Sequence, residues 1–354
     1  MGTIINIVLF VLILGLLVFV HELGHFLTAK KSGVFIHEFS IGMGPLIKSF
    51  KGKKDGIQYS IRALPIGGYV QMAGEIYEDD DTNTVPKEQF MCNRPWYQRL
   101  IILCAGVFNN FLLALVLLFV IALIWGAPSN NPVISNVEEG SAIAEAGIVA
   151  GDTITKVNGD KVSNWDKAQL LLLLKDKDNT YEIEVKHEDG SKDTYDVSPK
   201  VEKDDDGNET KKFGIIIEQE VNKGFKASVK YAFTKLGSTM EQMWLTVVNL
   251  FTGKISINAL SGPVGIYTVV GETRAAGIEN VLFLIAYLSI NLGIMNILPI
   301  PALDGGHVLF LLIELITKKK VNEKVENITT TIFFVLLMLL MLYITIHDII
   351  RIIF

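Results

Sequence analysis

Cysteine is nearly absent: 354 residues hold two, Cys92 and Cys104, too few for a disulfide framework and without partners at metal-site spacing. Charge is scarce as well, with Asp, Glu, Lys and Arg at 20% against 50% hydrophobic residues. The chain has no long basic stretch, and its formal charge of -6 gives a phosphate backbone nothing to hold, so nucleic acid is excluded as a partner class. The acidic runs Asp79–Asp81 and Asp204–Asp206 read as solvated loops. The opening apolar run, Ile4 to Val20, has neither a basic n-region nor a small-residue cleavage site, and is expected to be a retained helix, not a signal peptide.

What is present is apolar sequence in blocks at both ends, with the charged residues gathered between about Pro128 and Lys230. Four crossings are expected: Ile4 to Val20, Leu100 to Trp125, a third from Val281 broken by Pro299 and Pro301 and resuming over Val308 to Ile316, and Thr331 to Ile346. Lys and Arg favour cytoplasmic loops. Lys30, Lys31, Lys48, Lys51, Lys53, Lys54, Arg94 and Arg99 place the first connection there, and Lys318 to Lys320 the last. Both termini and the central insert are then expected outside.

The insert changes character to short β-type runs, such as Val133 to Val137 and Asp152 to Val157, closed by turns such as Asn158-Gly159 and Asp189-Gly190. The order Gly140-Ser141-Ala142, Ala146-Gly147-Ile148, Gly151-Asp152-Thr153-Ile154 resembles a PDZ domain over about Asn131 to Pro199. Such a domain implies binding of a peptide or a substrate ectodomain by strand addition. The tract Phe225 to Thr252 mixes Lys with Phe, Val, Leu and Trp at helical spacing, which suits a helix lying on the membrane surface.

At the end of the first span stands His21-Glu22-Leu23-Gly24-His25. Residues four apart share a helix face, so both imidazoles can bind one Zn²⁺ with Glu22 beside it as general base. A catalytic zinc needs a third protein donor. Asp304 is the candidate, an acid beside backbone broken by Pro299 and Pro301 within the membrane, and His307 one turn on is its rival.

The pairing of this motif with Asn296-Ile297-Leu298-Pro299-Ile300-Pro301-Ala302-Leu303-Asp304-Gly305 resembles the site-2 protease family of intramembrane zinc metalloproteases, in the bacterial RseP type but with a single PDZ domain. Ser60 to Val70, Ala105 to Asn110 and Ser261 to Gly265 also look like family segments. The resemblance implies zinc on His21, His25 and Asp304, with Glu22 as base and then proton donor. It implies substrate binding by Asn296, Asn291 and a membrane-reentrant β-hairpin containing Gly67, Gly68, Tyr69 and Val70. The expected fold is a polytopic α-helical membrane protein with four transmembrane helices, that hairpin and an inserted PDZ domain. Its parts are 1–126 with the first two spans, 127–224 with the PDZ domain and a trailing hairpin, 225–280 with the surface helix, and 281–354 with the last two spans. The implied substrates are single-pass membrane proteins, such as anti-sigma factors or remnant signal peptides, cut in regulated intramembrane proteolysis at the bacterial plasma membrane. Rival readings are a non-catalytic scaffold and a transporter, neither of which needs a base at Glu22.

Overall fold

The first apolar run folds as one helix, α1 (Gly2–Lys31), so the His21 to His25 motif lies within it and not beyond its end. Gly33, at φ 72°, stops the helix: its N–H reaches Lys30 O at 3.1 Å and Val34 N–H reaches Ala29 O at 3.0 Å. Lys30 and Lys31 occupy the last turn, where cations suit the helix dipole. The chain is seen here in a computed structural model that describes residues 2–53, 55–74, 85–174, 179–203, 209–217 and 220–353. The acidic runs at Asp79–Asp81 and Asp204–Asp206 lie outside those residues.

Two strands follow, β1 (Ile36–Lys51) and β2 (Gln58–Met72), and each is folded into two segments. Residues 36–41 pair with 68–72 in opposite directions, Ile36 against Met72 and Ile41 against Gly68. Residues 46–51 pair with 58–62 in the same sense, Leu46 against Arg62 and Lys51 against Gln58. Between them Glu38 meets Gln58 and Ile41 meets Ile61, numbers that rise together, so the two central segments run parallel. The expected hairpin is therefore a four-segment sheet in the order 46–51, 58–62, 36–41, 68–72. The bends fall at Gly42, Gly44 and Gly67, whose φ values of 87°, 80° and 95° exclude most side chains. Glu38 is buried and accepts from Arg62 Nη2 at 2.9 and 3.2 Å and from Tyr69 OH at 2.7 Å, which ties three segments together.

Helix α2 (Trp96–Trp125) is the second long apolar helix. The chain divides into two compact units, Met1–Leu117 with Leu260–Phe354, and Leu118–Ala259. In the second unit an antiparallel sheet runs 160–161, 153–157, 181–186, 192–197. Ile154, Val157, Tyr181, Ile183 and Val185 are all but fully buried in it, as the alternation of apolar and polar residues requires. Two helices pack within this unit, α3 (Ala142–Ala146), capped by Ser141, and α4 (Trp165–Leu173), capped by Asn164. A long helix, α5 (Phe225–Phe251), docks on α4 through ion pairs: Lys235 Nζ to Asp166 at 2.7 Å and Lys167 Nζ to Glu241 at 2.7 Å.

Returning to the first unit, α6 (Pro263–Ala276) has proline at its first position. Its free N–H groups at Gly262 and Gly265 bond to Asp348 Oδ2 at 2.9 and 2.8 Å. Helix α7 (Ile278–Ile297) ends where Pro299 and Pro301 remove donors, and α8 (Asp304–Thr317) resumes after them. The last helix, α9 (Glu323–Ile353), is longer than its apolar stretch alone suggests. Among the described residues four helices are long and apolar enough to cross a membrane: α1, α2, α7 and α9.

Candidate metal centre

His21 and His25 lie on the same face of α1, both less than a tenth exposed. The break between α7 and α8 brings Asp304, in the first turn of α8, onto that face. His21 Nε2 stands 3.1 Å from Asp304 Oδ2, His25 Nε2 stands 3.3 Å from it, and the two Nε2 atoms are 3.2 Å apart. Tetrahedral donors at 2.0–2.1 Å from zinc sit about 3.3 Å from each other, so this triangle has the dimensions of one face of a zinc tetrahedron. Hydrogen bonds do not complete it: among the described residues Asp304 Oδ2 is buried with no hydrogen-bond partner, although two ring nitrogens lie within 3.3 Å. Three lone pairs converging in a buried place call for a cation, and the donor set suits Zn²⁺.

The room for a cation comes from missing side chains. Gly106 of α2 lies over the triangle, where an added Cβ would stand against His25 Nε2 and 2.6 and 2.7 Å from His21 Cε1 and Nε2. At Gly24 it would collide with the backbone oxygen of Ala105, so glycine is what lets α1 and α2 approach this closely. Gly305 and Gly306 let α8 fold back onto the carbonyls of Ile297, Leu298 and Ile300. Polar groups of α2 then orient the motif: His25 Nδ1 donates to Ile102 O at 2.8 Å, Asn109 Nδ2 to Val20 O at 3.1 Å, and Asn110 lies 3.2 Å from His21 Nδ1.

Glu22 projects beside the triangle and faces the sheet. A Cβ added at Gly68 would sit 3.4 Å from Glu22 Cγ, which puts Gly68, at the start of the rim segment 68–72, against this side chain. Among the described residues no other strand pairs with that rim. Gly67, Gly68, Tyr69 and Val70 thus lie together near Glu22. Asn291 and Asn296 are half-buried on α7, and neither makes an interhelical hydrogen bond among the described residues. His307 is not part of the triangle; its Nδ1 lies 3.4 Å from Glu326 Oε1. The histidine spacing marks the motif in the sequence. Gly106 and Asn110 fall in a segment marked only by its family resemblance, and Glu38 in none; what each of them touches is visible only once α2 and the sheet are packed.

The sequence profile of peptidase family M50 matches residues 9–340. The "Regulator of sigma-W protease RasP" of Bacillus subtilis is 32% identical over 98% of both chains. The "Zinc metalloprotease RasP" of Bacillus licheniformis is 32% identical over 98% of this chain and 99% of its own, and that of Geobacillus kaustophilus is 31% identical over 97% of each. With nearly the whole length matched and four apolar helices in place, this multi-pass bacterial membrane protein belongs to peptidase family M50, the site-2 proteases, and is a zinc metalloprotease.

Proposed function

We propose that the protein cuts transmembrane segments of single-pass membrane proteins inside the bilayer, with zinc held by His21, His25 and Asp304 and with Glu22 as general base. The observation that carries this reading is the donor triangle of His21, His25 and Asp304, with Glu22 next to His21 on α1 and its side chain against Gly68 of the strand rim. When bound, zinc supplies Lewis acidity, which lowers the pKa of water toward about 7 and polarises the scissile carbonyl. Glu22 takes the proton from the attacking water and passes it to the leaving amide nitrogen. A helical substrate hides its amides, so it has to unwind first, and the rim Gly67 to Val70 offers it replacement backbone partners. The amides of Asn291 and Asn296, not engaged across helices, hold the extended chain.

The insert is read as a PDZ domain that receives a peptide or a substrate ectodomain. Helix α5 turns Phe233, Trp244, Val248 and Phe251 to one exposed face, at about 100° per residue, and uses the other to hold α4, which supports its lying on the membrane surface. The lysines and arginines of the short loops favour a centre toward the cytoplasmic side and an insert outside. The name of the Bacillus subtilis relative, a regulator of sigma-W, makes a membrane-bound anti-sigma factor the first substrate class to try. The test is cleavage of a tagged single-pass protein in membranes by wild type and Glu22→Gln. Loss of cleavage with zinc retained is expected; equal cleavage by both would remove Glu22 from the mechanism.

A further inference from the structure

Helix α2 does more than lie against the two histidines, because a zinc-binding imidazole must also be in the right tautomer. For His25 this is settled by the backbone: Nδ1 donates to Ile102 O, so Nε2 keeps its lone pair. Among the described residues no carbonyl takes that role for His21, whose Nδ1 lies 3.2 Å from Nδ2 of Asn110, a residue with no exposed surface. With the amide nitrogen facing the ring, as the atoms stand, Nδ1 would accept and the ring proton would sit on Nε2, where it would block donation to a metal. If the amide oxygen faced the ring, Nδ1–H would donate and Nε2 would be free. The two ends of a carboxamide have the same shape, and a 3.2 Å separation serves either. Among the described residues Asn110 Oδ1 is buried without a hydrogen-bond partner, so turning it toward His21 breaks no bond of its own.

We infer that Asn110 directs its Oδ1 to the Nδ1–H of His21 and so holds this imidazole in the tautomer that offers Nε2 to zinc. Asn110 is a positioning residue, not a ligand. It is itself fixed from α7, where Ser289 Oγ donates to its backbone oxygen at 2.7 Å. Asn109, its neighbour, reaches only the backbone of α1, so the two asparagines have separate tasks. The inference rests on the proposed role of His21 as a zinc ligand.

The test is zinc release from the purified full chain, titrated with a chelator, for wild type, His21→Ala, Asn110→Leu and Asn110→Asp. Leucine keeps the size and lacks an acceptor, so it should release zinc 10- to 100-fold more readily. Aspartate keeps an acceptor, lacks a donor, and should hold zinc at least as well as wild type. Zinc held normally by His21→Ala would sink the ligand assignment and the Asn110 inference with it. If His21→Ala is weak while Asn110→Leu is unchanged, or Asn110→Asp is weak, the Asn110 inference alone falls. Should Asn110→Leu fail to fold, Asn110→Asp decides: zinc kept supports the inference and zinc lost overturns it.

Discussion

Replacing Gly106 by alanine adds one methyl group to a helix that tolerates alanine better than glycine, so local propensity alone predicts a gain of about 1 kcal/mol. The surroundings predict the reverse for the metal centre. The new carbon would stand 2.6 and 2.7 Å from His21 Cε1 and Nε2, with His25 Nε2 nearer still. Non-bonded heavy atoms settle near 3.5 Å, so the rings must turn or α1 and α2 must part by about 1 Å. A displacement of that size at a reacting centre costs about 100-fold, or about 2.7 kcal/mol. Zinc affinity is expected to fall at least 10-fold and cleavage to fall with it, while helix content and melting temperature stay close to wild type. The assay is zinc content after dialysis against graded chelator, with Gly237→Ala as control, because nothing lies within 4 Å of that position. A Gly106→Ala protein that keeps zinc and cleaves at wild-type rate would refute the cradle described above.

Glu38→Ala removes the acceptor shared by Arg62 and Tyr69 and should loosen the sheet, seen as faster hydrogen exchange at 68–72 and lower cleavage with zinc content unchanged; unchanged exchange there would show that the Arg62 and Tyr69 bonds do not hold the rim. Asp348→Ala leaves the amides of Gly262 and Gly265 without their acceptor, at about 1–3 kcal/mol each, and detergent-solubilised protein should unfold earlier in denaturant. Proline at Val70 should abolish cleavage while zinc stays bound; cleavage unaltered would argue against strand addition at this rim. In the insert, the bond from His187 to Asp152 raises the histidine above its ordinary pKa. A raised folded-state pKa stabilises below about 6.5 and the contribution is lost as pH rises through the higher value, so protection of the amides around 152 and 187 should decline with pH, and His187→Asn should flatten that profile.

Much of the site was legible because its chemistry is local. His21, Glu22 and His25 announce a helix face by their spacing, and Pro299 and Pro301 announce the break that delivers Asp304. The four spans follow from composition, although α1 and α9 run beyond their apolar cores because lysines and a polar start still suit a helix. What could not be read depends on packing between distant segments. Nothing near Gly106 or Asn110 says which histidine each will face, since they meet α1 only after two helices close to glycine contact. The sheet eluded a hairpin reading for a similar cause: the resemblance marks Ser60 to Val70, but the parallel match of Glu38 with Gln58 depends on glycine bends and the Glu38–Arg62 pair, which join segments distant in sequence.

The two rims of that sheet are unlike, and the difference gives the protein a sense of direction. The rim at 46–51 carries Lys48 and Lys51, ammonium groups that discourage another chain from pairing there. The rim at 68–72 opens with Gly67-Gly68, short enough for a second backbone to come close. For the strand addition proposed above, this leaves one berth and not two, the one at Gly68 beside Glu22.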